Sequence, residues 1–252
     1  MFCEGPADFQ TASNLIDRVL AKEASWAADL LEQYPESVRE WVLDTQGEPF
    51  FKVGSLDQYV RSLGPLRRPQ GHFNGEPGAA DAIMGRTAFL LAREVSKRGP
   101  AIDAVCLVRD MDDQGADRRR GLGQARSEAE LLSSFRTVVG CADAMREAWV
   151  LAGFEAESPD EVERLEDLRQ ALGFSPCVEA HRLDAKDESA KKSPKRVLRV
   201  LTLGDRDREA RCWGESPLAL LRDRGDASGL RSFLDEVANT LGGLTRAAGV
   251  RS

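Results

Sequence analysis

The stretch Ala104 to Gln114 reads AVCLVRDMDDQ. Five mostly apolar residues lead into Arg109, then three carboxylates fall within four positions: Asp110, Asp112 and Asp113. Carboxylates this close repel and raise one another's pKa. A strand end tolerates that crowding when a cation is meant to sit among them. A second acid stands near the start of the chain. In MFCEGPADF, Glu4 ends a short apolar run, and Gly5 lets the backbone turn away directly after it. If the two runs are neighbouring strands, Glu4 and Asp110 face each other across one crevice, and Asp112 points into the same space. Hard oxygen donors without histidine or thiolate favour Mg2+ or Mn2+ over zinc. Asp113 is either a further ligand or the cap of the next segment.

The elements that must position these acids alternate between strand and helix. MFC reads as a very short strand, and DFQTASNLIDRVLAKEASWAADLLEQY has helical spacing, with Leu15, Ile16, Val19 and Leu20 on one face. ADAIMGRTAFLLAREVSKRG is an amphipathic helix with Lys97 and Arg98 in its last turn. AIDAVCLVRD is apolar on both faces, which fits the centre of a parallel sheet. GLGQARSEAELLSSF reads as a helix, RTVVGCA as another buried strand, and AMREAWVLAGF as a helix carrying Glu147 and Trp149. Trp149 is expected in the core. Glu147 is either a surface residue or an extra ligand. GPLRRPQGHFNGEPGAADA is a Gly- and Pro-rich loop whose His72 is either a proton shuttle or incidental. The alternation predicts an α/β fold with a mostly parallel sheet flanked by helices. Residues 1–20 and 100–160 form its core, 21–99 a largely helical insertion, and 161–252 a helical C-terminal extension packed on that core.

The chain has 252 residues and a net charge of −7. An acidic protein is a poor non-specific binder of nucleic acid by bulk charge, which leaves room for local basic patches. Two are present. Arg118, Arg119 and Arg120 follow the acidic cluster, and Lys191, Lys192, Lys195 and Arg196 form a second run. Each is either a phosphate contact or a solvated face. The five cysteines are scattered and include no CxxC pair, which argues against a zinc ribbon. No apolar run approaches the ~20 residues of a membrane span. The N-terminus lacks the basic start and apolar stretch of a signal peptide, so a cytoplasmic location without membrane attachment is expected.

A strand ending in Glu-Gly, then a helix, then a later strand ending in Asp-x-Asp resembles the Toprim domain. Topoisomerases, bacterial primases and the overcoming-lysogenisation-defect nucleases share that catalytic domain. FCEGPADF resembles its first motif, with Glu4 as the acid, Gly5 after it and Asp8 at an accessory acidic position. CLVRDMDDQ resembles the second, with Asp110 and Asp112 as the paired acids. REAWVLAGF is similar to a further segment of Toprim-like proteins from bacterial defence islands, where Glu147 and Trp149 match a Glu-Ala-Trp. The resemblance implies catalytic Glu4, Asp110 and Asp112, and a metal site drawn from these with Asp113 and Glu147. One or two Mg2+ or Mn2+ ions would polarise a scissile phosphate and activate water. Tyr34 and Tyr59 lack a strand-passage context, so hydrolysis is expected. The implied function is a metal-dependent DNA-binding nuclease, a phosphodiester hydrolase of DNA or RNA, in antiviral defence. Arg118, Arg119, Arg120, Lys192, Lys195 and Arg196 would hold nucleic acid. A partner ATPase or other defence-system subunit is implied by the same resemblance, and a homo-oligomer stays open.

Two alternatives remain. One is a catalytically silent Toprim-like subunit that works by docking. The other is a phosphatase: DMDDQ also resembles the haloacid-dehalogenase motif, in which the first Asp is a nucleophile and the second a general acid.

Overall fold

The computed structural model describes residues 1–23, 28–34, 38–64, 70–99 and 101–243. The sheet at its centre has four parallel strands. β1 (Phe2–Cys3) lies between β2 (Phe51–Lys52) and β5 (Ala104–Asp110), and β6 (Arg136–Ala142) lies beyond β5. A separate two-stranded antiparallel hairpin is made by β3 (His72–Phe73) and β4 (Glu76–Pro77). The fold is α/β, with a parallel sheet flanked by helices, as the alternation predicts. Within 21–99, the expected insertion, Phe51 and Lys52 give the sheet its outer strand, and this stretch also carries the hairpin. Residues 24–27, 35–37 and 65–69, parts of the expected first helix, of the residues after it and of the Gly/Pro-rich loop, lie outside the described residues.

β5 organises the core because its side chains alternate across the sheet. Cys106 and Val108 pack on one side, with Leu15 and Val19 of α1 (Pro6–Glu23), Trp149, and Phe233 of the helix Leu230–Leu241. Val105 and Leu107 pack on the other, with Leu91 of the helix Ala82–Arg98 and Leu122 of the helix Gly115–Leu132. Burial on both faces accounts for the continuous apolar run. Trp149 is 1% exposed and stacks on Phe233 with ring centroids 5.0 Å apart, so it is core as expected.

The outer edge of β6 is covered rather than free. Glu236 accepts a hydrogen bond from the Val139 N–H (2.8 Å), and Ser228 O accepts one from the Asp143 N–H (3.0 Å). This stops the edge from templating another strand. The close approach needs Gly229: its φ is +80°, and a Cβ there would stand 2.1 Å from Cys141 O. Among the described residues, no helix is long and apolar enough to cross a membrane.

Candidate functional site

β1 and β5 are parallel neighbours, with Phe2 level with Leu107. Two residues further along each strand stand Glu4 and Arg109, and Asp110 ends β5. The acids 106 positions apart in the chain therefore meet beyond the carboxyl ends of adjacent strands, where ligands gather in open α/β sheets. Asp110 is held from one side: its Oδ1 accepts the Arg146 N–H at 2.9 Å, at the start of the helix Arg146–Ala152. Burial pushes the Asp110 carboxyl up from 3.8 to about 8, and the negative charges of Glu4, Asp8 and Glu147 add to the rise. Asp8, on α1, is raised by burial and by Glu4 and Glu147, against the pull of Arg146. Glu209, on the helix Arg206–Gly214, is raised by burial and by Glu147, again opposed by Arg146.

One buried cation serves most of this ring. The Arg146 guanidinium lies 3.3 Å from Glu147, 3.8 Å from Asp8 and 3.9 Å from Glu209, and it donates to Thr11 Oγ1 at 3.2 Å. Lys195 stands at the rim. It pairs with Glu188 at 3.2 Å, and that bond, with the charges of Glu147 and Asp110, raises its pKa. Ser193 fixes its position by capping the helix Pro194–Thr202, accepting the Arg196 N–H. Five carboxylates thus gather about fewer cations, with low-dielectric protein on one side.

A second chain of charges runs along the same edge. Arg109 pairs with Glu4 and with Asp81 (2.9 Å). Arg118 continues it, 3.5 Å from Asp81, 2.8 Å from Asp112 and 2.7 Å from Asp110 O. Asp81 (φ 61°), Asp112 (φ 47°) and Ala144 (φ 62°) all take the left-handed region here. For residues with a Cβ this costs on the order of 1–3 kcal/mol each and tends to gather at functional sites. Asp112 is thereby turned into a bridge with Ala144, its N–H donating to Ala144 O at 3.2 Å.

The predicted residues divide accordingly. Glu4, Asp8, Asp110 and Glu147 come together, and Gly5 makes the turn between the first two, its carbonyl accepting the Phe9 N–H. Asp112 does not point into this space but is spent on Arg118, and Asp113 pairs with Lys186 at 2.9 Å. The reason is local: the left-handed turn at Asp112 redirects the chain into the next helix, whose first turn supplies Arg118. The arginine run is engaged by acids throughout. Arg119 pairs with Asp143, and Arg120 with Asp117 at 2.7 Å. In the second run, Lys192 is exposed without an ion pair among the described residues, and Arg196 donates to Ser189 O at 2.5 Å. His72 is exposed on β3, away from this ring. Sequence reasoning missed Asp81 and Glu209. Neither sits in a motif, and only tertiary packing delivers them. Arg146 was visible as the neighbour of Glu147, though not as the ring's central cation.

In donor chemistry and unbalanced charge, Glu4, Asp8, Asp110 and Glu147 fit a hard divalent cation. In spacing the ring is open: among the described residues, no three His, Cys, Asp or Glu side chains converge closely enough to hold an ion. No family model, no curated protein and no solved structure matches this chain.

Proposed function

We propose that this chain is a divalent-metal-dependent nuclease of Toprim type, a phosphodiester hydrolase whose acids are Glu4, Asp110, Asp8 and Glu147. One observation carries the reading: Asp110 is buried at a strand end among three other carboxylates, and burial, with their charges adding to it, pushes it up to about 8. That is an unfavourable arrangement for a purely structural cluster and a favourable one for a bound cation. Mg2+ or Mn2+ drawn to these acids would supply Lewis acidity to a phosphate and acidity to a water, and the open ring would have to close on the ion to hold it. The chain's own residues have separable tasks. Arg146 holds Asp110 through its backbone N–H and keeps Asp8 and Glu147 facing inward. Lys195, at the rim of the ring, would meet a phosphate backbone, with Lys192 three positions earlier and without an ion pair among the described residues. Arg109 neutralises Glu4 until another cation takes its place.

A second reading, a silent Toprim-like subunit that docks on a partner such as an ATPase, is favoured by the open spacing of the ring and by Arg109 on Glu4. The phosphatase reading is weakened by Asp112, whose pairing with Arg118 removes it as a general acid. The test is direct. Purified protein is incubated with plasmid DNA, single-stranded DNA and RNA, with Mn2+, with Mg2+ and with chelator. Metal-dependent cleavage that disappears in Glu4→Ala and Asp110→Ala supports the nuclease. Equal cleavage by either variant and the parent removes the assignment.

A further inference from the structure

A cavity of about 370 Å³ lies on the face of the sheet opposite α1, between the helices Ala82–Arg98 and Gly115–Leu132. The packing of the two helices creates it. They run in the same direction, since Gly85 stands against Ala125 and Leu122, while Arg86 reaches Glu128 one turn further on. At their starts the backbones nearly touch: a Cβ on Gly121 would fall 1.9 Å from Ala80 O. Further along, larger side chains hold the helices apart. The opening is lined by Arg86, Phe89 and Arg93 from the first helix, Leu132 from the second, and Gln70 and Ser133 at the rim.

Its two arginines differ in how far they are satisfied: the terminal nitrogens of Arg86 donate to Gln70 O, His72 O and Glu128, and those of Arg93 make no hydrogen bond among the described residues. Arg86 is fixed in place, stacked 3.5 Å from the Phe73 ring centroid and donating to His72 O at 2.8 Å. Arg93 makes one marginal contact, 4.0 Å to its neighbour Glu94. The Nε atoms of both arginines are shielded from water and have no hydrogen-bond partner among the described residues. Buried donors without partners are uncommon and costly. Arg86 and Arg93 against Glu128 leave the cavity with one surplus positive charge. The terminal nitrogens of Arg93 make no hydrogen bond among the described residues, and beside Phe89 and Leu132 they suit an anion carried on an apolar body, because the two together can grip two oxygens. The volume lies within the range of small-ligand sites. Gln70 and Ser133 add donors that suit the third oxygen of a tetrahedral anion.

We propose that this cavity binds a small phosphomonoester with an aromatic body, a nucleoside monophosphate in class, with Arg93 as the principal partner of the phosphate. The site is separate from the charged edge that carries the acids: Asp81, the N-cap residue that pairs with Arg109 there, stands twelve positions before Arg93, roughly 18 Å at about 1.5 Å per residue. It does not depend on the nuclease reading.

The test uses the full chain in chelator at neutral pH, so that no metal chemistry enters. Adenosine 5′-monophosphate, adenosine, inorganic phosphate and benzoate are titrated calorimetrically. Adenosine 5′-monophosphate should bind with a Kd below about 1 mM, and adenosine and phosphate each at least about tenfold more weakly. Arg93→Ala should weaken binding by at least about tenfold, Arg93→Lys by less, and the surface variant Arg120→Ala not at all. Far-UV circular dichroism checks that each variant is folded. No binding of adenosine 5′-monophosphate in the millimolar range, or an unchanged affinity in folded Arg93→Ala, overturns the site. Benzoate binding as tightly as the nucleotide overturns the phosphomonoester assignment.

Discussion

Replacing Asp110 with Asn tests the electrostatics on which the functional reading rests. In the folded chain the carboxyl titrates at about 8 instead of 3.8. Between those values the folded state binds a proton that the unfolded chain has released. Stability therefore falls as pH rises through this window, and the loss is complete above the folded value. At 1.36 kcal/mol per pH unit, the penalty at pH 7 is on the order of 4 kcal/mol. Asn keeps an oxygen to accept the Arg146 N–H and carries no charge, so Asp110→Asn removes the penalty. In chelator, urea unfolding should find the two proteins nearly equal at pH 4. The variant's advantage should grow steadily to pH 8 and level off beyond it. With Mn2+ present the gap at neutral pH should narrow by more than half: a metal that binds the parent stabilises it by about 2.7 kcal/mol at a hundredfold excess over Kd, and the variant by less. A variant less stable than the parent at pH 8 in chelator, or a difference independent of pH, would refute the reasoning.

Two further outcomes check the frame that holds the site. Arg208 is 4% exposed. It grips Glu161 through two bonds of 2.7 and 3.1 Å and donates to Glu155 O at 2.6 Å, so Arg208→Met should cost about 3–5 kcal/mol in denaturant unfolding by leaving Glu161 buried and unpaired. Gly229→Ala places a methyl against Cys141 O at a left-handed φ and should lower stability by about 1–3 kcal/mol, with the largest gain in amide exchange along β6; an unchanged exchange pattern would mean that the 228–236 segment does not guard that edge.

The sheet was legible where burial leaves a mark on sequence. β5 and β6 are largely apolar runs, β5 ending in Arg109 and Asp110, and the acids that follow β1 and close β5 declared the crevice between them. β2 left no such mark. It is two residues long, Phe51 and Lys52, and follows a stretch without periodicity, so its place beside β1 comes from tertiary pairing alone. The site was half legible for a related reason. Strand order brings Glu4 to Asp110, and that could be argued from two motifs. The direction of Asp112 depends on a left-handed backbone at that residue and on where Arg118 lands one helical turn into the next segment. Arg118 was in view, but as a phosphate contact. Its distance from Asp112 is a product of the turn between them, which spacing does not encode. Asp81 and Glu209 arrive from elements whose sequence says nothing of this edge.

The molecule contains its own control for what the acidic ring means. At Glu161, the bonds from Arg208 outweigh burial and hold the carboxyl below its ordinary value, as expected of a carboxylate kept charged to support a fold. Glu236 is raised by burial, yet it is anchored by the Val139 N–H and by Arg126. Asp110 has neither resolution. Its one hydrogen bond comes from a backbone N–H, and three neighbouring carboxylates add to the cost of charging it. The arginines nearby are committed elsewhere: Arg146 is shared among Asp8, Glu147 and Glu209, and Arg109 between Glu4 and Asp81. A fold seeking only stability gains from an amide or an apolar residue at position 110, because that removes a penalty of several kcal/mol at neutral pH. An acid retained at such a cost is explained by something that binds there and pulls the proton off, and a divalent cation does so. Binding should therefore release close to one proton per site at pH 7, a quantity that calorimetry in buffers of different ionisation enthalpy reads directly.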